Sequence, residues 1–254
     1  MNRDQWATLA RVFEDEVSDI TASETNGGLG EAVTRATLAF RKATLVDLGC
    51  GIGTFVAKFG GGFHRVIAVD FSSDMLSRAQ SICRHLRRVT WLCADIPKAA
   101  LEFPATADLT ACLNVITSPS AARRRALWDS VAAVTRPGGT AIVVVPALES
   151  AEFVARQTGQ RLRRRRTRPS DSGLLVRAGC VQKFFLESEV VEVMGNVGFE
   201  AVRLQKIEYP WADEGVSVRP MRGKQLPWDW LATGVRKKGS GSGPWKPIAL
   251  KQDK

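Results

Sequence analysis

The chain has few of the side chains that bind metals or carry covalent catalysis. Among 254 residues it has two histidines, His64 and His85, and no two of its five cysteines show the C-x-x-C spacing. This composition argues against a zinc site or a disulfide framework, and we predict that the protein holds no metal. The cysteines are predicted to be small buried residues in a reducing compartment. They are Cys50, Cys83, Cys93, Cys112 and Cys180.

Long apolar runs are also missing. No run approaches the roughly 18 to 20 residues that a membrane-spanning helix needs. The first eleven residues carry Arg3, Asp4 and Arg11 in place of the apolar core of a signal peptide. We therefore predict a soluble cytoplasmic protein with no membrane contact. With 44% hydrophobic residues, the chain has the size and composition of one α/β domain.

Acidic residues are scarce in one segment of the chain. The formal charge is +10, and residues 151–183 hold nine arginines and lysines against Glu152 and Asp171. The first 42 residues have the opposite balance, with seven acidic and five basic side chains. The basicity is therefore local, and we interpret 151–183 as a basic insertion.

A glycine-rich loop follows a short β-prone run at residues 44–48. Gly49, Gly51 and Gly53 alternate there and lead into a predicted helix, but no register gives the G-x-G-x-x-G pattern of a dinucleotide site. Asp47 stands two residues before the first glycine, where its carboxylate would repel a pyrophosphate. The pattern favours a positively charged nucleoside without phosphate. An ordinary strand-to-helix turn with a capping Asp47 is the alternative.

Acidic residues also end the next two predicted strands. The strand at 65–70 ends on Asp70, at the distance from the glycine loop at which an acidic residue reaches ribose hydroxyls. A helix cap is the alternative role, although Ser72 and Ser73 can provide that cap. Asp95 follows the next predicted strand, at 89–94, and a further strand is predicted at 107–116. Because ligands collect beyond the carboxyl ends of parallel strands, these strand ends are expected to share one crevice.

These features together resemble the class I S-adenosylmethionine-dependent methyltransferases, a Rossmann-like superfamily. The similar features are D-x-G-x-G-x-G after the first strand, the acidic strand ends, and a predicted R-P-G-G turn at 136–139 before the fifth strand. The resemblance implies a doubly wound α/β sheet of seven strands, mostly parallel, with one antiparallel C-terminal strand. It implies S-adenosyl-L-methionine as cofactor, with Asp95 accepting from the adenine amino group. The implied cofactor-binding residues are Asp47, Gly49, Cys50, Gly51, Gly53, Asp70, Phe71, Met75, Asp95, Ile96, Asn114 and Val115.

Catalysis by such an enzyme needs no triad, because the sulfonium already activates the methyl group and the protein positions a nucleophile. Our catalytic candidates are Asn114, Tyr209 and Glu214. A general base is not identified by any motif, and Glu149, Asp213 and Asp229 are further candidates. The aromatic residues between 209 and 230 would suit an amine or cationic substrate, or they are core packing.

We predict three segments: an N-terminal helical cap at 1–42, a methyltransferase domain at 43–238, and a flexible tail at 239–254. The cap would contain amphipathic helices at 3–20 and 31–41, which either cover the cofactor or only pack on the core. Within the domain we expect helices at 73–86 and 187–197 and one ending near Val134. The remaining strands are expected at 140–147, 199–207 and 230–235.

Three functions fit this sequence. The first is methyl transfer to a nitrogen, oxygen, sulfur or carbon nucleophile of a small molecule, with 151–183 as a lid. The second is methylation of RNA or DNA, with Arg161 to Arg168 contacting phosphates. The third is an inactive cofactor-binding partner subunit, which would be favoured if residues 114–117 were closed off from the transferred methyl. The protein is expected to be a monomer or homodimer.

Overall fold

The structure is a computed structural model that describes residues 19–38, 42–164, 172–177, 179–215 and 225–238. Its strands in chain order are β1 (Thr44–Leu48), β2 (Arg65–Asp70), β3 (Val89–Cys93), β4 (Ala107–Leu113), β5 (Thr135–Pro146), β6 (Leu174–Arg177), β7 (Cys180–Lys183), β8 (Phe199–Glu208) and β9 (Trp228–Arg236). Seven of them form one sheet in the order β3-β2-β1-β4-β5-β9-β8, and β6 and β7 form a separate antiparallel hairpin. Strand β9 runs antiparallel to both of its neighbours. The predicted fold class is confirmed.

Helices flank the sheet. They are α1 (Ile20–Ser23), α2 (Gly28–Thr37), α3 (Thr54–Phe59), α4 (Ser73–Ile82), α5 (Ile96–Ala99), α6 (Ala121–Val134), α7 (Leu148–Thr158) and α8 (Glu187–Asn196), with short 3₁₀ turns at Gly60–Gly62 and Trp211–Glu214. No helix in the described ranges has the length and apolar content to span a bilayer.

The core lies on both faces of the sheet, because the central strands are covered on both sides. Val46 and Leu48 of β1 pack in one cluster with Trp128 of α6. Leu45, whose side chain points to the opposite face, packs in a second cluster with Leu29 of α2. All of these side chains are nearly inaccessible to solvent. The sequence predicted this arrangement because runs apolar on both faces mark buried parallel strands.

Several predicted boundaries are wrong, and the fourth strand ends at Leu113 rather than at residue 116. The R-P-G-G segment does not form a turn before β5 but lies inside it, and the register with β4 shifts between Ala107 and Leu109. Gly138 adopts φ +77°, and a Cβ on Gly139 would lie 2.7 Å from the Ala107 carbonyl oxygen, so the glycines allow a bulge here. Helix α4 ends at Ile82 rather than 86. Helix α2 begins at Gly28 rather than 31, after Gly27 in a left-handed conformation.

The cysteine prediction is partly wrong. Cys50, Cys83 and Cys112 are buried, but Cys93 is exposed and Cys180 is partly exposed. Cys93 is the last residue of β3, which is at the edge of the sheet and therefore has a poorly covered surface.

The segment prediction is not tested over its full extent. Most of the first predicted helix, part of 151–183 and the whole tail at 239–254 lie outside the described residues. The described part of 151–183 contains the end of α7 and the β6–β7 hairpin.

Candidate active site

A cavity of about 490 Å³ opens beyond the carboxyl ends of β1, β2 and β4. Its volume is in the range of small-molecule and cofactor sites, and its position is where ligands bind in open α/β sheets. Ten of the twelve predicted cofactor-binding residues lie in its wall. They are Asp47, Gly49, Cys50, Gly51, Asp70, Phe71, Met75, Ile96, Asn114 and Val115. The other two, Gly53 and Asp95, are not in the wall.

The glycine loop is fixed to the neighbouring strand by its backbone. The N–H groups of Gly49 and Cys50 donate to the Val69 carbonyl oxygen at 2.8 and 3.0 Å. Gly49 and Gly51 have φ of +84° and +53°, which L side chains rarely adopt. A Cβ on Gly49 would overlap the Val115 side chain in the cavity wall. The loop therefore requires glycine at these positions, and both residues lie in the cavity wall.

Gly53 has a packing role in this structure. Its φ is +83°, and an added Cβ would lie 2.9 Å from the Ala79 Cβ of α4. We expect Gly53→Ala to destabilise the protein by about 1–3 kcal/mol, from left-handed strain and overpacking. Its affinity for S-adenosylhomocysteine should change less than threefold. Thermal unfolding and calorimetry measure the two effects.

Gly62→Ala is the matched control, because nothing lies within 4 Å of the added Cβ. A Gly53→Ala protein of unchanged stability whose affinity falls tenfold would contradict the packing role. It would instead support the cofactor contact that the resemblance implies.

Asp47 is the least solvated carboxylate of the cavity wall. It is 2% exposed, and its Oδ2 has no hydrogen-bond partner among the described residues. Burial and, to a smaller extent, the charges of Asp70 and Asp19 together raise its pKa to about 8. An unpaired buried carboxylate is costly, so this position is complementary to a cationic group.

Asp70 is held by the loop. Its Oδ2 accepts from the Gly51 N–H at 3.0 Å, and its Oδ1 accepts from the Ser72 N–H at 2.9 Å. Burial raises its pKa, while these backbone hydrogen bonds lower it. Ser72 supplies the helix cap, because its Oγ accepts from the Met75 N–H. A carboxylate has about four acceptor positions, so both oxygens can still accept from a pair of hydroxyls.

Asp95 faces a partner that the sequence analysis did not identify. The Arg123 guanidinium binds it through two hydrogen bonds, of which the Nη1 to Oδ2 bond is 2.8 Å long. Arg123 itself lies in the cavity wall. Arg125, on the same helix, pairs instead with Asp129.

Asn114 lies at the end of β4 with φ +54°, a conformation that asparagine tolerates better than most residues. Its Nδ2 donates to Asp229 Oδ2 at 2.9 Å. Its Oδ1 is buried, and no described residue donates to it. Burial raises the pKa of Asp229 to about 7, although the Asn114 hydrogen bond lowers it. Asn114, Val115 and Thr117 all line the cavity, so this strand end is open to it.

Tyr209 and Glu214 do not line the cavity. The Tyr209 hydroxyl donates to Glu214 Oε1 at 2.8 Å, and Arg177 donates to Oε2 at 2.7 Å. Burial raises the pKa of Tyr209 well above its usual value. The charges of Arg177 and Glu214 also shift the pKa of Asp229. Arg177 lowers that pKa and Glu214 raises it, so the two charges oppose each other at Asp229.

Glu149, another of the base candidates, and the tryptophans make structural contacts. Glu149 accepts from the Trp230 Nε1 at 3.1 Å and from the Glu187 N–H at 2.9 Å. The Trp228 ring packs against Phe153, and the cation above it is the chain's own Lys206, 3.8 Å from the ring centre. These contacts favour core packing.

Two further stretches of the chain also reach the cavity. Asp19, Ile20 and Thr21 line it from the N-terminal side, as one interpretation of the cap expected. Gln182 of β7 lines it from the hairpin. The Lys183 N–H donates to the Thr117 carbonyl oxygen at 2.9 Å, which attaches the hairpin to the loop after β4. No local sequence pattern signals this contact.

The described part of the basic segment is partly neutralised. Arg164 and Arg156 both contact Glu152. Arg165, Arg166 and Arg168 lie outside the described residues. Within the described ranges, no group of three His, Cys, Asp or Glu side chains is placed to hold a metal ion.

Residues 45–139 match a family described as "Methyltransferase domain". A curated relative, phosphoethanolamine N-methyltransferase 3 of Arabidopsis thaliana, is 34% identical over 61 residues. That match covers 24% of this chain and 12% of the relative.

Solved methyltransferase structures share the fold over nearly the whole chain. The N-methyltransferase NodS of Bradyrhizobium japonicum, in complex with S-adenosylhomocysteine, has a TM-score of 0.62 at 14% identity and covers 92% of this chain and 97% of its own. The 1,6-didemethyltoxoflavin-N1-methyltransferase of Burkholderia thailandensis has a TM-score of 0.60 at 20% identity, with coverage of 92% and 87%. Residues 45–139 therefore match a methyltransferase domain, and the chain has the Rossmann-like fold of the solved class I methyltransferases, with a cavity at the position expected for that fold.

Proposed function

We propose that this protein transfers the methyl group of S-adenosyl-L-methionine to a nucleophile of a small molecule. When bound, the cofactor supplies a methyl group activated by its sulfonium. The observation that carries this proposal is Asp47, a buried carboxylate with an unpartnered oxygen beside the glycine loop. A ligand with an ammonium group and no phosphate complements it, as the sequence pattern predicted.

The wall residues fit the rest of the cofactor. Asp70 would accept from the ribose hydroxyls, and Phe71 and Ile96 would hold the adenine ring, with Asp95 as an acceptor for its amino group. The acidic residues Asp19, Asp47 and Asp70 oppose a ligand with net negative charge. The charges of the wall therefore favour a cationic ligand.

The substrate is proposed to enter beside the end of β4. Thr117 and Ser118 from the loop after β4 and Gln182 from the hairpin give that part of the wall uncharged polar groups. These side chains can orient a small polar molecule and exclude water from the methyl group. The hairpin thus acts as a lid in this proposal. Asn114 contacts the reacting groups, while Tyr209 and Glu214 act as positioning residues through Asp229.

Asp70→Asn tests the cofactor site. An asparagine presents one acceptor oxygen where Asp70 has two, so we expect the affinity for S-adenosylhomocysteine to fall about 10- to 100-fold, or 1.4–2.8 kcal/mol. Isothermal calorimetry measures it. Asp74→Asn is the control, because Asp74 is an exposed acid in the first turn of α4, outside the cavity wall. Equal affinities of both variants and the unmodified protein would refute the assignment of Asp70.

A second experiment distinguishes the proposed function from the other two. Labelled-methyl transfer is measured into the small-molecule, RNA and protein fractions of cell extract, and RNA binding is measured at low and moderate salt. Label in the RNA fraction with salt-sensitive RNA binding would favour the nucleic-acid function. Cofactor binding without any labelled product would favour the inactive subunit. Label in the small-molecule fraction supports the proposal.

A further inference from the structure

Arg123 is the only basic residue in the described wall of the cavity. It is the third residue of α6, and its backbone N–H donates to Oγ of Ser120, the N-cap of that helix. Leu127, four residues further along, lies in the same wall. One face of α6 therefore faces the cavity, and the helix fixes the point from which the guanidinium extends.

The Arg123 guanidinium binds Asp95 through both of its terminal nitrogens. This fork-to-fork geometry fixes the plane of the carboxylate, which a single hydrogen bond would not do. Asp95 directly precedes Ile96 of α5, which lines the cavity. The pair thus connects the end of β3 to α6 across one side of the cavity.

Two acceptor positions of the Asp95 carboxylate remain after the bidentate pair forms. A purine amino group can donate to one of them, whereas a purine 6-oxo group in the same place would meet a carboxylate and be repelled. The two Arg123 N–H groups that point at Asp95 do not compensate, because the carboxylate already occupies them. The pair therefore favours an amino group at the purine 6-position.

We propose that Arg123 is a specificity-determining residue of the cofactor site. It orients Asp95 as an acceptor for the adenine amino group and withholds its own donors from a 6-oxo purine. This inference rests on the adenine placement proposed above. It concerns which nucleobase the cofactor site accepts, and it is independent of the methylated substrate.

The test compares two ligands by calorimetry: S-adenosylhomocysteine and its analogue with hypoxanthine in place of adenine. The unmodified protein should prefer the adenine ligand by about 30-fold, the scale of a hydrogen bond to a charged group. In Arg123→Ala the affinity for S-adenosylhomocysteine should fall about tenfold and the preference should shrink. Arg123→Lys should behave in the same way, because a lysine ammonium cannot form the two parallel hydrogen bonds of a guanidinium.

Asp95→Ala gives the sharper result. It frees the Arg123 donors, which can then reach the 6-oxo group, so the preference should be lost or reversed. Arg125→Ala is the matched control, since Arg125 lies on the same helix and pairs with Asp129 away from the cavity. The Arg123 and Asp95 side chains are 35% and 39% exposed, so breaking their pair should not unfold the protein.

Unchanged preference in Arg123→Ala and Asp95→Ala would overturn the inference while leaving cofactor binding intact. Wild-type preference in Arg123→Lys would also overturn it, because charge alone would then suffice. Absence of binding by the unmodified protein would instead refute the proposed cofactor site. The two failures are therefore distinguishable.

Discussion

Asp47→Asn should weaken S-adenosylhomocysteine binding about 30- to 100-fold and stabilise the ligand-free protein. The loss of affinity corresponds to about 2–3 kcal/mol, the contribution of a charge-assisted hydrogen bond in a buried site. The stability gain follows because asparagine removes a buried ionisable group whose Oδ2 has no partner among the described residues. We expect about 1–2 kcal/mol, or a few degrees in Tm.

Asp47 also makes the stability of the folded protein depend on pH. The pKa of Asp47 is about 8 in the folded protein, against an ordinary value of 3.8. The folded state therefore binds more protons than the unfolded state between these values, and its stability falls as pH rises from about 4 to 8. Asp229, with a pKa of about 7, acts in the same direction. Asp47→Asn should remove only part of this slope.

An ammonium group bound next to Asp47 favours the ionised carboxylate, so binding at pH 7 should release close to one proton. Calorimetry in two buffers of different ionisation enthalpy measures this number, and Asp47→Asn should release almost none. Asp74→Asn, altered at the exposed acid of α4, should match the unmodified protein in both measurements. Proton release that persists in Asp47→Asn would show that another group faces the ammonium.

Asn114→Gly should abolish most methyl transfer while leaving the fold and cofactor binding nearly intact. Glycine accepts φ +54° without strain, so the backbone at the end of β4 is retained and only the carboxamide is lost. We expect transfer to fall about 100-fold and S-adenosylhomocysteine affinity to change less than threefold, since positioning acts on the reacting groups. The measurement is labelled-methyl incorporation into the small-molecule fraction of extract, alongside calorimetry.

Asn114→Ala separates the side chain from the backbone. It should lose transfer to the same extent and also lose about 1 kcal/mol of stability, because alanine is strained in the left-handed region. Both variants remove the donor that lowers the pKa of Asp229, so its pKa should rise further. The fall of stability with pH should then extend to higher pH. Full transfer activity in Asn114→Gly would exclude Asn114 from the reaction.

The sequence predicted the half of the site that depends on local structure. Gly49, Asp47 and Asp70 were identifiable because a strand, a glycine turn and a strand-end acid are close in the chain and each has a backbone reason for its position. The ten predicted residues that line the cavity were identified from this pattern of strands, glycine turn and strand-end acids. Their individual roles stay proposals until the variants above are measured.

The sequence did not predict contacts made between distant segments. The pairing of Arg123 with Asp95 depends on how α6 packs beside α5, and the contact of the hairpin with Thr117 depends on an insertion without a recognisable pattern. Glu214 was a candidate because acids near aromatic residues suit amine substrates, yet its carboxylate binds Arg177 and Tyr209. The bulge at 136–139 was mistaken for a turn because Pro-Gly-Gly is common to both.

The position of β9 has a consequence for biosynthesis. It is the last described strand in the chain, yet it lies between β5 and β8, and β8 has no other neighbour in the sheet. During translation β8 therefore emerges from the ribosome before its pairing partner exists. Asp229 belongs to that partner strand, so Asn114 gains its carboxylate contact only once synthesis has passed β9.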